Sequence, residues 1–169
     1  MKIPHTHRSI SVLGVDYDLA HLNAFAEAIP GKGVQKGSDL GVVVVFSCHV
    51  FTERANHGEL HHIVDHHGTR RTFDQKRYEM SKELPDRIRA KIKSDELTYV
   101  SKSFGGIENL ILLEDREGLT WTIVYCLCGI QEHTAVRMEI LSAHPDLPLF
   151  SGPLLNRACS PFVCHHSAA

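Results

Sequence analysis

Residues 97–143 read LTYVSKSFGGIENLILLEDREGLTWTIVYCLCGIQEHTAVRMEILSA, and the fold is decided there. Runs rich in β-branched and aromatic residues (LTYVSKS, ENLILLE, TWTIVYCLC, AVRMEILSA) are separated by short polar or glycine-containing segments (FGG, DREG, GIQEHT). Strand formers bounded by turn formers at this spacing predict a four-stranded antiparallel meander. Cys126 and Cys128 alternate within the third run, where buried cysteine commonly acts as a small core residue. Trp121 and Tyr125 share a face of that strand and are expected to pack a helix.

Upstream, residues 42–50 are too continuously apolar to be half-exposed and predict a central strand, ending near Cys48 and His49. Residues 60–65 and 70–73 predict two more strands, joined by a turn at His66, His67, Gly68 and Thr69. Asp74 suits a helix N-cap ahead of QKRYEMSKEL, and Pro85 must interrupt that helix or begin another turn of it. Its apolar stripe is Tyr78, Leu84, Ile88 and Ile92; Lys76, Arg77, Arg87, Arg89 and Lys91 read as a solvated face. At the N-terminal end, short alternating runs on either side of Gly14 predict a hairpin, and residues 20–33 predict a helical turn ended by Pro30 and Gly31. Residues 146–169 are expected to cross the surface before a last strand near 162–164.

These elements define an α+β class: an antiparallel sheet with a C-terminal four-stranded meander and one proline-interrupted helix packed on a face. At 169 residues a single domain spanning 1–169 is the expectation. With 43% hydrophobic and 22% charged residues, neither disorder nor a fibrous repeat is favoured. A net charge of −2 gives no general attraction to nucleic acid or an anionic membrane, although a local patch could still bind phosphate. No apolar run approaches the roughly 20 residues of a membrane-spanning helix. The opening MKIPHTHRSIS lacks the apolar stretch of a signal peptide, and five cysteines at irregular spacing do not suggest a disulfide framework. A cytoplasmic location without membrane contact is therefore expected.

Thirteen histidines are present, and five of them fall between His57 and His67 in HGELHHIVDHH. Imidazole titrates near neutrality, so such a cluster suits metal binding or proton transfer. His61 and Asp65, with His49 from the neighbouring strand, form a candidate ligand set for zinc or manganese. A second candidate is a zinc clip from Cys159 and Cys164 with His165 and His166. Neither has the spacing of a diagnostic metal motif.

The segment IVDHHG resembles the signature of the DHH phosphoesterases, in which an aspartate and two histidines help to hold manganese; the matching positions are Asp65, His66 and His67. The likeness covers some six residues, and the second domain and repeated strand-helix units of that family are missing. A wider resemblance involves Ser47, His49, Arg71, Phe73, Arg77, Tyr78, Ser81, Leu84, Pro85, Ser142 and Ala143. These positions are similar to a set of small bacterial proteins of unassigned activity, with a Ser-x-His strand end and an Arg-Tyr-x-x-Ser-x-x-Leu-Pro helix start. It implies one domain and names no reaction. The order of helix and meander also resembles RelE-like and barnase-like ribonucleases, for which His49, His144, Arg77, Arg137 and Tyr78 are suitable residue types, although the near-neutral charge weighs against RNA cleavage.

The functional expectation is a site at the end of the 42–50 strand that binds or hydrolyses a phosphate-containing small molecule or RNA, in the manner of a nuclease or phosphodiesterase. His49 is its acid-base residue, Arg77 and Arg71 supply positive charge, and Tyr78 orients one of them. The alternatives are a non-enzymatic module that recruits a protein partner and a metal-binding protein using the 57–67 window.

Overall fold

The computed structural model describes residues 7–31, 36–94, 98–101, 108–130, 135–145 and 155–159. The chain begins with a hairpin, β1 (Ser9–Val12) and β2 (Val15–Asp18), turned by Leu13 and Gly14, both at positive φ. A 3-10 turn (Ala20–Leu22) leads to β3 (Phe25–Ile29) and β4 (Leu40–Phe46). A second 3-10 turn (Cys48–Val50) precedes a small three-stranded sheet of β5 (Thr52–Arg54), β6 (Ile63–Val64) and β7 (Arg70–Phe73), in the order β5-β7-β6. Then come α1 (Gln75–Ser81) and α2 (Leu84–Lys93), followed by β8 (Thr98–Ser101), β9 (Glu108–Glu114), β10 (Thr120–Gly129), β11 (Ala135–Pro145) and β12 (Leu155–Cys159).

The main sheet has seven strands in the order β12-β8-β9-β10-β11-β4-β3. The predicted meander β8-β9-β10-β11 is its contiguous antiparallel centre. One pairing departs from the antiparallel pattern: β4 lies parallel to β11, with Val42 opposite Val136 and Phe46 opposite Ile140. β4 is therefore second from an edge rather than central, yet Val42 to Phe46 are all buried. The strand also stops at Phe46, earlier than its apolar composition predicted, because Ser47 starts the 3-10 turn.

Residues 20–33 depart further from expectation. Beyond the short 3-10 turn the segment is strand β3, whose burial alternates along Phe25, Ala26, Glu27, Ala28 and Ile29. Its alanines favour a helix locally, but pairing with β4 overrides that preference. Glu27, on the inward alternation, accepts ion pairs from Arg89 and Lys93 of α2.

The helices form as predicted and for the predicted reasons. The Asp74 carboxylate accepts from the Arg77 amide at 3.1 Å, capping α1, and Pro85 falls in the first turn of α2, where its missing N–H costs nothing. Tyr78, Leu84, Ile88 and Ile92 are buried in one cluster with Val42, Val44, Phe46, Ile123, Tyr125 and Ile140, so the helices cover one face of the sheet. Trp121 joins this core, its indole N–H donating to Asp115 at 2.9 Å. Cys126 and Cys128 are not core residues as expected: the first is half-buried and the second exposed, on the opposite alternation from buried Tyr125. β12 runs beside β8, while the strand expected near 162–164 lies outside the described residues. Among the described residues no helix is long and apolar enough to cross a membrane.

Candidate active site

His49 is placed by a sharp change of direction after β4. The Ser47 amide still donates to the Ile140 carbonyl (2.9 Å), extending the contact with β11. The Ser47 hydroxyl then accepts from the His49 amide and caps the 3-10 turn, which lifts the imidazole out of the strand.

The carbonyls that follow are pinned by two guanidinium groups. Thr52 Oγ1 donates to the Cys48 carbonyl at 2.7 Å and accepts from Arg71 Nε at 2.7 Å, while Arg71 NH2 donates to the Thr52 carbonyl at 3.0 Å. Arg77, from the first turn of α1, donates through NH1 to the carbonyls of Thr52 (2.9 Å) and His49 (3.3 Å). His49, Arg71 and Arg77 thus come into one neighbourhood, but through the main chain: the arginines brace backbone carbonyls of the 48–52 segment. Each also faces a carboxylate, Asp65 at 3.9 Å from Arg71 and Asp74 at 3.4 Å from Arg77. Arg77 is accordingly mostly buried, not part of the solvated face expected for the helix.

Asp65 orients His49. Its Oδ2 accepts from His49 Nε2 at 2.9 Å, and its Oδ1 accepts from the amides of His67 (3.0 Å) and Thr69 (2.9 Å). Burial alone would raise the Asp65 pKa, but the Thr69 amide, His49 and the His67 amide outweigh it and bring it down to about 2. The carboxylate is thus ionised at neutral pH and can only accept, so the His49 proton sits on Nε2. Burial, with Arg71 helping, holds the His49 pKa below its ordinary 6.5 against the opposing pull of Asp65. Neutral His49 therefore keeps a bare Nδ1, which has no partner among the described residues, and its side chain is 26% exposed.

A second imidazole lies on the far side of Arg77. Arg77 NH2 is 3.4 Å from His144 Nδ1, and His144 Nε2 is 2.9 Å from Ser142 Oγ. Burial and the charges of Arg77 and Arg71 lower the His144 pKa to about 4. Sequence reasoning singled out His144 only through the ribonuclease likeness and passed over Thr52, and it used Ser142 only as a family motif position. The available signal was repetition: Ser142 and His144 repeat the Ser-x-His spacing of Ser47 and His49.

Other predicted site residues fall elsewhere. Tyr78 does not orient Arg77 or His49; its hydroxyl donates to the Asp18 carbonyl at 3.2 Å and its ring packs on Tyr17 and Phe73. Arg137 pairs with Glu139 on β11. The expected metal set is not assembled: His49 meets Asp65, but His61 does not join them, and no group of three or more His, Cys, Asp or Glu among the described residues is arranged to hold a metal ion. Asp65, His66 and His67 form a tight turn whose aspartate oxygens are already taken, so the short likeness to DHH phosphoesterases has a local explanation in turn chemistry. Of the second candidate, Cys159 closes β12, while Cys164 lies outside the described residues.

A protein-family model, the YjaZ family, matches residues 9–162. The chain belongs to the YjaZ family. Neither the curated proteins nor the solved structures contain a match. The YjaZ match spans both arms of the site, from Ser47 through Asp65, Arg71 and Arg77 to His144.

Proposed function

We propose that the chain binds and hydrolyses a phosphate-containing ligand, with RNA phosphodiesters as one candidate substrate, and that His49 is the proton acceptor. The observation that carries this proposal is a neutral imidazole fixed by a carboxylate, its second nitrogen bare and partly open to water, on a turn whose backbone carbonyl is held by the Arg77 guanidinium. A carboxylate at one imidazole nitrogen sets the tautomer and supports the positive charge that forms when the other takes a proton from water or a ribose hydroxyl. Arg77 and Arg71, whose donors hold the 48–52 carbonyls, would act on a phosphoryl group through their charge rather than by direct contact. His144 is a poor proton donor to the leaving oxygen, because with a pKa of about 4 it stays neutral at pH 7. Protonated His49 can return the proton instead.

The test is hydrolysis of RNA and of a generic aryl phosphodiester by wild type and His49→Ala. The substitution is expected to lower the rate by about 100-fold or more, the usual scale for losing an acid-base group, while leaving the melting temperature within a few degrees. Equal rates in the two proteins would sink the proposal.

One observation favours the alternative of a protein-recruiting module. The tip of the β1–β2 hairpin exposes Leu13 at 87% and Val15 at 53%, and Leu13 has positive φ, costly for a branched side chain. A module of this kind would keep its partner in the His49→Ala variant and lose it in Leu13→Asp.

A further inference from the structure

We infer that Ser142 is a ligand-contacting hydroxyl of this site and that His144 and Arg77 are positioning residues that polarise it; the inference rests on the phosphate-binding proposal above. Direction follows from donor chemistry. A guanidinium has no acceptor, so the 3.4 Å approach of Arg77 NH2 to His144 Nδ1 requires that nitrogen to be bare. The imidazole proton is then on Nε2 and is donated to Ser142 Oγ at 2.9 Å. The serine's own proton has no acceptor among the described residues. A cation thus stands at one end of a chain of donors and an unspent hydroxyl proton at the other, and hydrogen bonds aligned in this way reinforce one another. The end group offers an anion a hydrogen bond without adding net charge.

Backbone geometry supports the same assignment independently. The β10–β11 ladder shifts register between Val124 and Tyr125: Tyr125 faces Ile140, but Val124 faces Ser142, leaving Leu141 as an extra residue. Regular alternation would have put Ser142 and His144 on the side of Met138 and Ile140, both fully buried in the core. After the bulge it is Ala143 that turns into the core, and Ser142 and His144 turn out of it. Bulges that re-aim side chains in this way recur beside functional sites.

Inorganic phosphate is the probe, titrated calorimetrically against wild type, Ser142→Ala, Ser142→Thr and His49→Ala. Loss of a hydrogen bond to a charged ligand predicts about 10-fold weaker binding for Ser142→Ala, and Ser142→Thr, which keeps the hydroxyl, should recover to within about 3-fold of wild type. If the alanine variant does not fold, Ser142→Cys replaces it, with the same weakening expected. In parallel, nitrogen NMR of the histidine rings should place the His144 proton on Nε2. Undiminished phosphate binding by Ser142→Ala, or a proton on Nδ1, would overturn the assignment while leaving the functional proposal standing. A wild-type protein that binds no phosphate at millimolar concentration would remove the functional proposal and this assignment together.

Discussion

His49 and Asp65 are 16 positions apart in the chain, and the chemistry of the site turns on which of the two oxygens of one carboxylate does what. Asp65→Asn separates the roles. The amide oxygen can still accept from the His67 and Thr69 amides, so the turn survives, but the amide nitrogen now presents a donor to His49 Nε2. The ring must move its proton to Nδ1, which removes the bare nitrogen that the proposed reaction uses. Hydrolysis is expected to fall by about 100-fold with little loss of stability, a result that rate measurements and thermal melting together would check. The composition of this site was legible in the sequence: His49, Asp65, Arg71 and Arg77 stood out by residue type. Their contacts were not. Tyr78 was misassigned because neighbours on a helix point about 100° apart, so it cannot share the task of Arg77. Ser142 and His144 were obscured because the bulge at Leu141 breaks the alternation from which facing is inferred.

Two hairpins of this protein are closed by the same device. In Asp65-His66-His67-Gly68-Thr69 and in Asp115-Arg116-Glu117-Gly118-Leu119, the aspartate Oδ1 accepts from the amides two and four residues on. In both, the glycine has a φ near +80°, and Oδ2 is left over to accept from an aromatic ring N–H, that of Trp121 in one and His49 in the other. The Asp115 turn anchors a buried tryptophan, and the Asp65 turn applies the same leftover oxygen to an imidazole that water can reach. Gly68→Ala is expected to cost about 1 kcal/mol, because the left-handed backbone disfavours a Cβ although none of the surroundings would touch it. Chemical denaturation should register that loss, and His49 titration should change little. The turn positions were readable from Asp and Gly at fixed spacing, whereas β3 was not, since its alanines and its pairing with β4 make opposite demands.

Across the molecule, meander, interrupted helix and N-terminal hairpin followed from periodicity and turn chemistry. The parallel joining of β4 to β11 did not, because strand order depends on contacts between distant segments that no local pattern records. The charge ledger predicts a stability profile. His49 and His144 have pKa values below 6.5 in the folded chain, His144 at about 4, so as pH drops below about 6.5 the unfolded chain takes up protons that the folded one refuses. Stability is therefore full above that range and declines towards pH 4, and Asp65, lowered to about 2, extends the decline below 3.8. The slope is limited to roughly 1.4 kcal/mol per pH unit for each proton that the unfolded chain alone takes up. Melting temperatures at pH 8, 6, 5 and 4 would reveal it, and a flat profile would contradict the assigned protonation states.

The β4–β11 pairing also has a kinetic meaning. Ser47 and Ile140, whose backbones bond directly, are separated by more than half of the chain, so the turn that carries His49 and the strand that carries Ser142 come together late. Contacts of such long sequence separation slow folding, since a large loop must close before any of them is rewarded. A growing polypeptide emerging from the ribosome can build its first hairpin early, but cannot join β4 to β11 until the later strand has cleared the exit tunnel.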